Sequence, residues 1–161
     1  METFCIDASV FLHVLLSRHS KTSRENVEAS EKVIDLLQEE KILAVAPAVV
    51  MAEIKWVIGR ENKNFPSKQL KEKFGEIDAL FFQFLRKNLE IVSIDVDLAS
   101  EAAEYRLKYY SRQNDFSYND ALYLATALRK KAKYLITTDT HLLKVEEISA
   151  LEPIGLLDLY S

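Results

Sequence analysis

The sequence contains little cysteine, glycine or proline, and it has no long apolar run. Its single cysteine, Cys5, excludes an intrachain disulfide, and its position in an apolar segment predicts a buried small side chain rather than a reactive thiol. Three glycines and three prolines among 161 residues favour long regular elements. No segment reaches the roughly 18 consecutive apolar residues that a membrane-spanning helix needs.

The charge pattern and the missing motifs exclude further classes of protein. Asp7 and His13 interrupt the only early apolar stretch, so we expect no signal peptide, no membrane association and a cytoplasmic location. The 25 acidic and 21 basic residues give a net charge of −4, which argues against an unselective, strongly basic nucleic-acid-binding protein. The sequence also lacks a paired-cysteine zinc motif, a P-loop and a dinucleotide-binding fingerprint.

Apolar segments of strand length alternate with amphipathic segments of helix length. We predict strands at 3–6, 42–46, 91–94, 134–137 and 154–159, and helices at 9–17, 27–40, 48–58, 68–88, 97–112, 117–131 and 142–145. Connections are predicted at 18–26, 62–67 and 113–116, with Gly59 as a helix terminator. The alternation predicts an α/β fold, a three-layer α/β/α sandwich around a mainly parallel sheet of about five strands. We expect one domain over residues 1–161.

Four acidic residues occupy positions that favour a functional site. Asp7 and Asp139 each follow a predicted strand, Asp120 lies in the first turn of an apolar helix, and Glu53 lies within another apolar helix. Open α/β folds bind ligands at the carboxyl ends of their strands, so we expect the four side chains to converge there. Four ionised acids in one small space repel one another, and a hard divalent cation with oxygen ligands relieves this repulsion. The pattern therefore predicts a site for Mg²⁺ or Mn²⁺.

Three of these acids also have a structural explanation. Asp7 and Asp139 are each suited to cap the helix that follows them, since an Asp side chain accepts hydrogen bonds from free backbone amides. Ser117 and Asp120 have the spacing of a capping box, in which the acid reaches back to the cap amide. Local sequence leaves both explanations open.

Glu53 is the acid that a structural role explains least well. The residues three and four positions away on its helix are Val49, Val50, Trp56 and Val57. We expect Glu53 to share their apolar face, where a carboxylate without a buried partner is costly. Lys55 is two residues away and points elsewhere on the helix. The pattern predicts that Glu53 serves the site.

The order and spacing of several short motifs resemble a known family. The motifs are Ile6-Asp7-Ala8-Ser9, Ala52-Glu53-Ile54, Asn119-Asp120-Ala121-Leu122, Ala125-Thr126-Ala127-Leu128, Ile136-Thr137-Thr138-Asp139 and Leu142-Leu143. Together they extend over nearly the whole chain. In this arrangement the sequence resembles the PIN-domain ribonucleases and, among them, the VapC-like toxins.

The resemblance implies a metal-dependent site with assigned positions. The four acidic positions of the family are matched by Asp7, Glu53, Asp120 and Asp139. Asp7 and Asp120 are then the principal metal ligands, and Glu53 and Asp139 are either further ligands or groups that orient the attacking water. The implied chemistry is hydrolysis of RNA phosphodiester bonds with Mg²⁺ or Mn²⁺, in which the ion polarises the phosphate and lowers the pKa of a bound water.

Two hydroxyl residues are expected to support the site, and the resemblance also implies partners. Ser9 and Thr137 are suited either to hold a ligand or phosphate or to cap the backbone, and Thr137 matches a hydroxyl residue that is common before the last acid of the family. The expected partners are an RNA substrate, a second copy of the chain in a homodimer and, for the toxin of a toxin–antitoxin pair, a small antitoxin.

Two alternative functions remain open at the level of sequence. One is a non-catalytic PIN-like module that binds RNA or protein. The other is a phospho-aspartate α/β domain, which is disfavoured because Ala8 and Ser9 follow Asp7 where a second acid would be needed. All four acids of the family are present, which favours the nuclease.

Two basic segments and one histidine have ambiguous roles. Residues 129–133 close a predicted helix, where cations complement the helix dipole, and we favour this explanation over RNA contact. Residues 105–112 mix tyrosines with basic residues, as single-strand-binding proteins do, and suit a partly buried helix equally well. His141 lies two residues after Asp139, and we expect it not to touch substrate.

Overall fold

The computed structural model describes residues 1–16, 23–63 and 68–160, which form one parallel sheet and its covering helices. The strands are β1 (Thr3–Ile6), β2 (Leu43–Pro47), β3 (Leu89–Val92), β4 (Tyr134–Ile136) and β5 (Ala150–Leu151). The α-helices are α1 (Ala8–Leu15), α2 (Arg24–Gln38), α3 (Val49–Lys63), α4 (Lys68–Asn88), α5 (Val96–Tyr109), α6 (Tyr118–Arg129) and α7 (Pro153–Asp158). A short 3₁₀ helix occupies Leu142–Lys144. The predicted α/β/α sandwich is confirmed.

The central strand of the sheet is β1, which is buried because helices cover both faces. The strand order is β3-β2-β1-β4-β5, and every neighbouring pair is parallel. Phe4, Cys5 and Ile6 are fully buried, as expected for a strand covered on both faces. The Cys5 thiol contacts the carbonyl oxygen of Tyr123 at 3.6 Å, and burial raises its pKa. The predicted burial of this small side chain is confirmed.

A crevice forms where β1 and β4 lie side by side. From β1 the chain continues to β2 and β3 on one side, whereas β4 and β5 lie on the other, so the strand order reverses between β1 and β4. The backbone amide of Asp7 donates to the carbonyl of Ile136 at 2.9 Å, which holds the two strand ends together. Ligands bind at such switch points in open α/β sheets. Asp7 and Asp139 therefore follow neighbouring strands at the position expected for a site.

The predicted strand at 154–159 is wrong. Helix α7 occupies Pro153–Asp158, and β5 lies before it at Ala150–Leu151, where it pairs with β4. Pro153 stands at the first helical position, where its fixed φ angle suits a helix and its missing N–H costs nothing. Leu156 is buried in the core, and α7 packs against α2. Tertiary packing decides between helix and strand in this short apolar run.

Smaller differences concern the ends of elements. Strand β3 starts at Leu89, two residues before the predicted start, because α4 ends at Asn88. Helix α3 continues past Gly59 to Lys63, since one glycine weakens a helix by only about 1 kcal/mol without ending it. The predicted connections at 18–26 and 62–67 lie partly outside the described residues. Their described parts belong mainly to α2, which begins at Arg24 after the cap residue Ser23, and to α3.

No helix within residues 1–16, 23–63 and 68–160 is both long enough and apolar enough to cross a bilayer.

Candidate active site

All four predicted acids line one cleft at the carboxyl edge of the sheet. The cleft has a volume of about 320 Å³ and receives side chains from the ends of β1 and β4 and from α1, α3 and α6. Its lining residues are Asp7, Ala8, Ser9, Leu12, Glu53, Trp56, Val57, Asn119, Asp120 and Asp139. Neither lysine nor arginine occurs among these described lining residues. The structure thus brings the acids together without a cationic side chain in the cleft wall.

Asp7 stands at the N-cap position of α1, but its side chain makes no capping hydrogen bond. Instead its Oδ2 accepts from the hydroxyl of Ser9 at 2.7 Å and from that of Thr137 at 2.8 Å. Its Oδ1 has no hydrogen bond to any residue that the structure describes. Asp7 is only 6% exposed. Helix capping therefore does not explain this acid, and one carboxylate oxygen remains available to a ligand.

Ser9 and Thr137 link Asp7 to the loop that follows β4. The Ser9 hydroxyl accepts from the backbone amide of Thr138 at 3.1 Å, and the Thr137 hydroxyl accepts from the amide of Asp139 at 2.9 Å. Each hydroxyl also donates to Asp7, so each one orients an acid of the cleft and satisfies a backbone amide at the same time. This pair of contacts orients the Asp7 carboxylate and sets its position relative to Asp139.

Asp120 forms the complete capping box that its spacing predicts. Its backbone amide donates to the Ser117 hydroxyl at 3.1 Å, and the Ser117 amide donates to its Oδ2 at 2.7 Å. Helix capping therefore explains the contact of Oδ2, as the sequence predicted. The second oxygen, Oδ1, has no hydrogen bond within the part of the chain that the structure describes. The capping box therefore also fixes a carboxylate at the cleft wall.

Asp139 holds the turn that begins the 3₁₀ helix. Its Oδ1 accepts from the amide of His141 at 2.7 Å and more weakly from the amide of Leu142 at 3.4 Å. The N-cap of this 3₁₀ helix is His141, so the predicted capping by Asp139 is wrong, and its Oδ1 stabilises the turn before the helix instead. The imidazole of His141 hydrogen-bonds the side chain of Asn114 and does not line the cleft.

Glu53 has two hydrogen-bond partners that sequence reasoning missed, the half-buried Asn119 and the buried Tyr123. The side-chain amide of Asn119 donates to its Oε1 at 2.9 Å, and the phenol of Tyr123 donates to its Oε2 at 2.6 Å. The shared apolar face predicted for Glu53 is only partly correct. Val50 is fully buried, but Trp56 is 68% exposed. Glu53 therefore lies at the border of the core, and two hydrogen bonds from residues of α6 fix its carboxylate.

The buried side chain of Tyr123 on α6 hydrogen-bonds both α1 and α3, the two helices on either side of the cleft. It is 1% exposed, and its hydroxyl accepts from the backbone amide of Ala8 at 3.2 Å while donating to Glu53. The signal for this role was its spacing, because Tyr123 is three residues after Asp120 and four after Asn119, on the same face of α6.

We expect Tyr123→Phe to change the pH dependence of activity. The substitution removes a hydrogen bond that lowers the pKa of Glu53, so this pKa should rise and activity should be lost at a higher pH during acidification. It also leaves the Ala8 amide without its acceptor, and stability should fall by about 1–2 kcal/mol. The measurement is a pH–activity profile with urea unfolding. Tyr160→Phe, distant from the cleft, is the control, and an acid limb that does not move would contradict the role.

Burial and mutual repulsion disfavour ionisation of the clustered acids. Burial raises the pKa of Asp7 to about 6, although two hydroxyl donors oppose the shift and the charges of Glu53 and Asp139 reinforce it. Burial also raises the pKa of Glu53 and of Asp120, and the charge of Asp139 contributes to both shifts. The pKa of each of these three acids is therefore raised in part by the charge of another acid. A bound cation would reverse this penalty because it favours the ionised forms.

The donor set fits a hard divalent cation held by few protein ligands. Asp7 Oδ1, Asp120 Oδ1 and Asp139 Oδ2 carry no hydrogen bond from a described residue, and their other oxygens are anchored. No group of three or more Asp, Glu, His or Cys side chains in the described ranges is placed to hold one ion. Mg²⁺ commonly uses one or two carboxylates and keeps several waters, a coordination that does not require such a group.

Comparison with known proteins identifies the family. The PIN domain family model matches residues 4–148. This chain belongs to the PIN-domain family. Comparison with curated protein sequences finds no match.

Solved structures with the same fold include toxin–antitoxin proteins. This PIN domain is similar to FitAcB from Neisseria gonorrhoeae, with 16% identity and a TM-score of 0.66 over 94% of this chain and 98% of that chain. It is similar to VapC20 from Mycobacterium tuberculosis, a sarcin–ricin loop cleaving toxin, with 14% identity and a TM-score of 0.58 over 91% of this chain and 98% of that chain. It is also similar to a chain of a toxin–antitoxin complex from Klebsiella pneumoniae, with 17% identity and a TM-score of 0.57 over 95% of this chain and 98% of that chain. The predicted PIN-domain family is confirmed, and these solved structures share its fold.

The basic segment at the end of α6 in this PIN domain is used within the fold. Three of its cations form ion pairs with acids of neighbouring elements. Arg129 pairs with Asp95 and Glu101, Lys130 with Glu90, and Lys133 with Glu2. These contacts favour the structural explanation over RNA contact.

The aromatic and basic segment on α5 divides between two environments. Lys108 and Tyr109 both bond Glu147 at 2.6 Å, so their polar groups are engaged within the fold. The guanidinium of Arg106 lies 4.3 Å from the ring centroid of Tyr118, which is 54% exposed. Tyr110, which is 52% exposed, lies 5.4 Å from the same guanidinium, so this part of the predicted segment is at the surface.

Proposed function

We propose that this PIN domain is a divalent-metal-dependent endoribonuclease that hydrolyses RNA phosphodiester bonds with Mg²⁺ or Mn²⁺. The observation that carries the proposal is the convergence of Asp7, Glu53, Asp120 and Asp139 in one cleft, whose described lining residues include no lysine or arginine. We propose further that residues 1–161 act as one domain.

The proposed ligands are the carboxylates that keep a free oxygen. Asp7 Oδ1 and Asp120 Oδ1 would hold the metal, and Asp139 Oδ2 would bind it or orient the attacking water. When bound, the ion would supply Lewis-acid stabilisation of the phosphate and a lower pKa for a coordinated water. Ser9 and Thr137 keep Asp7 oriented through its Oδ2.

Glu53 has the properties of a proton acceptor for the attacking water. Burial raises its pKa toward the range in which a general base is effective near neutral pH. Asn119 and Tyr123 each donate to one of its oxygens, which fixes the carboxylate while leaving lone pairs for a water molecule. The alternative role for Glu53 is that of an additional metal ligand.

We also propose that the protein is the toxin of a toxin–antitoxin pair, acting in the cytoplasm as a homodimer with a small antitoxin partner. Support comes from the similar solved structures, which include a toxin–antitoxin complex from Klebsiella pneumoniae and a loop-cleaving toxin from Mycobacterium tuberculosis. Inspection of the adjacent reading frames tests the partner. A small open reading frame whose product binds this chain and suppresses its activity is the expected finding, and a neighbour without this effect would contradict it.

The nuclease activity is tested by incubating a mixed RNA with the protein in Mn²⁺, in Mg²⁺ and in EDTA. We expect cleavage with at least one ion and none in EDTA, because the carboxylates require a cation to bind a phosphate. A DNA of matching sequence is the control for the substrate class. Cleavage that persists in EDTA would contradict metal dependence. RNA binding without cleavage under either ion would favour a non-catalytic PIN-like module.

A further inference from the structure

Trp56 is a large exposed aromatic side chain on the wall of the acidic cleft. It is the single tryptophan of the sequence, it is 68% exposed, and it lies one helical turn after Glu53 on α3. It lines the same cleft as the four acids. Most of the indole surface is therefore free to contact a ligand that enters the cleft.

Helix α3 does not use Trp56 to pack against the core. Its buried stripe consists of Val50, Ile54 and Ile58, which are at most 4% exposed and recur every four residues. Trp56 lies on a different stripe, with Glu53 before it and Arg60 after it. Replacing the indole should therefore leave the folded structure intact, which makes this position suitable for a functional test.

Because the cleft is acidic, a nucleic acid that binds there needs contacts other than ion pairs with its wall. Its described lining residues include four acids but no lysine or arginine, so attraction between phosphate and cationic side chains is missing from the cleft wall. Base stacking on aromatic rings is the other common source of affinity for single strands, and it tolerates any base sequence. The volume of about 320 Å³ is at the lower end for pockets that hold small organic ligands, so it suits a single nucleotide unit.

The surroundings of Trp56 favour a nucleic acid over a protein partner. Among the described residues of α3, the exposed neighbours of Trp56 are Ala52, Lys55, Gly59 and Arg60, so this helix adds no second large apolar side chain beside the ring. Arg60 lies one turn further along α3, and its side chain is 57% exposed in a long 3.4 Å contact with Glu61. An acid, an aromatic ring and a cation thus follow one another along the helix, in an order that suits a phosphate with bound metal, a base and a second phosphate.

We propose that the indole of Trp56 stacks on the nucleobase next to the phosphate bound at the four acids, and that Arg60 contacts the following phosphate. This inference rests on the proposed nuclease function and names a substrate-binding residue of the same site. The stacked base belongs to a single-stranded segment of RNA, because a base within a duplex has no free face.

Intrinsic fluorescence tests the stacking directly, since Trp56 is the only indole in the protein. The parent protein in Mg²⁺ is mixed rapidly with a pool of short single-stranded RNA of random sequence and, separately, with an abasic oligomer of the same length, and the fluorescence is read before cleavage proceeds. We expect quenching by the RNA and little or none by the abasic oligomer. Equal quenching by both would overturn the proposal, as would no response to RNA. A spectrum that shifts with protein concentration alone would assign Trp56 to contacts between copies of the chain.

Kinetics on three variants separate stacking from a structural role. Because stacking stabilises the bound substrate and the transition state alike, Trp56→Ala should raise KM by about tenfold with little change in kcat. Trp56→Phe keeps a ring and should recover part of the loss. Leu80→Ala removes a side chain of similar exposure (66%) on α4 and should leave KM unchanged. Unaltered thermal unfolding of Trp56→Ala is the control for folding.

The outcomes distinguish this inference from the nuclease proposal. Cleavage by the parent with an unchanged KM in Trp56→Ala overturns the stacking role and leaves the nuclease intact. Base-dependent quenching without cleavage by the parent supports stacking and overturns the nuclease. If the RNA pool neither quenches nor is cut, both proposals are wrong.

Discussion

Asp7→Asn is expected to abolish RNA cleavage while making the metal-free protein more stable at neutral pH. The asparagine oxygen can still accept the hydroxyls of Ser9 and Thr137, so the local structure should persist. The charge that binds a cation is lost. We expect cleavage to fall by more than about 100-fold, because even residues behind the metal ligands contribute roughly 10- to 100-fold.

The gain in stability follows from the raised pKa of Asp7. Burial holds this pKa at about 6 in the folded protein, against an ordinary value of 3.8. Between these values the folded state binds more protons than the unfolded state, so the free energy of unfolding decreases as the pH rises. Above pH 6 the ionised carboxylate should cost about 3 kcal/mol in the absence of metal. Asparagine carries no charge and avoids this cost.

Denaturant unfolding in EDTA from pH 4 to pH 7 measures this difference. The parent should lose stability across the range relative to Asp7→Asn, and Mn²⁺ should stabilise the parent but not the variant. Asp35→Asn, an exposed acid on α2, should follow the parent. Parallel pH profiles for parent and Asp7→Asn would show that the ionisation of Asp7 is not linked to folding.

Asp120→Asn and Ser117→Ala should separate the two roles of the capping box. Asp120→Asn keeps an oxygen that accepts from the Ser117 amide, so the free energy of unfolding should change little. Because the substitution removes the negative charge that would bind the metal, cleavage should fall by more than about 100-fold. Ser117→Ala removes the hydroxyl that caps α6 and should cost about 1 kcal/mol while retaining most of the activity. The two substitutions are thus expected to act on different properties.

The measurement for this pair is kcat/KM together with the free energy of unfolding. Activity is assayed well below the unfolding temperature, so that a small loss of stability does not reduce the folded fraction. If Asp120→Asn retained activity, or if both variants lost activity and stability in proportion, the role of Asp120 would be confined to helix capping.

Much of the fold could be predicted because its signals are local. Strands covered on both faces are continuously apolar, and helices that cover a sheet carry an apolar stripe, so both kinds of element were visible in the sequence. The error at 154–159 has the same origin. A six-residue apolar run fits a short helix as well as a strand, and the choice depends on packing against α2, which local sequence does not contain.

The roles of the acids were less accessible than their positions. Asp7 and Asp120 both looked like capping residues, yet the structure shows capping by Asp120 and none by the side chain of Asp7. A carboxylate has two oxygens, so one can satisfy a backbone amide while the other is available to a ligand. Sequence identifies the residue but not which oxygen is engaged.

By itself, the sequence determined the order of strands and helices as far as the 3₁₀ helix after β4, the capping box at Ser117 and Asp120, and the place of an acid after β1 and after β4. These features depend on residues a few positions apart. Only the tertiary structure decided that Tyr123 holds Glu53 across 70 residues, that Thr137 holds Asp7 across 130, and that Trp56 faces solvent. Such contacts arise when the sheet brings distant segments to one edge, and no local spacing encodes them.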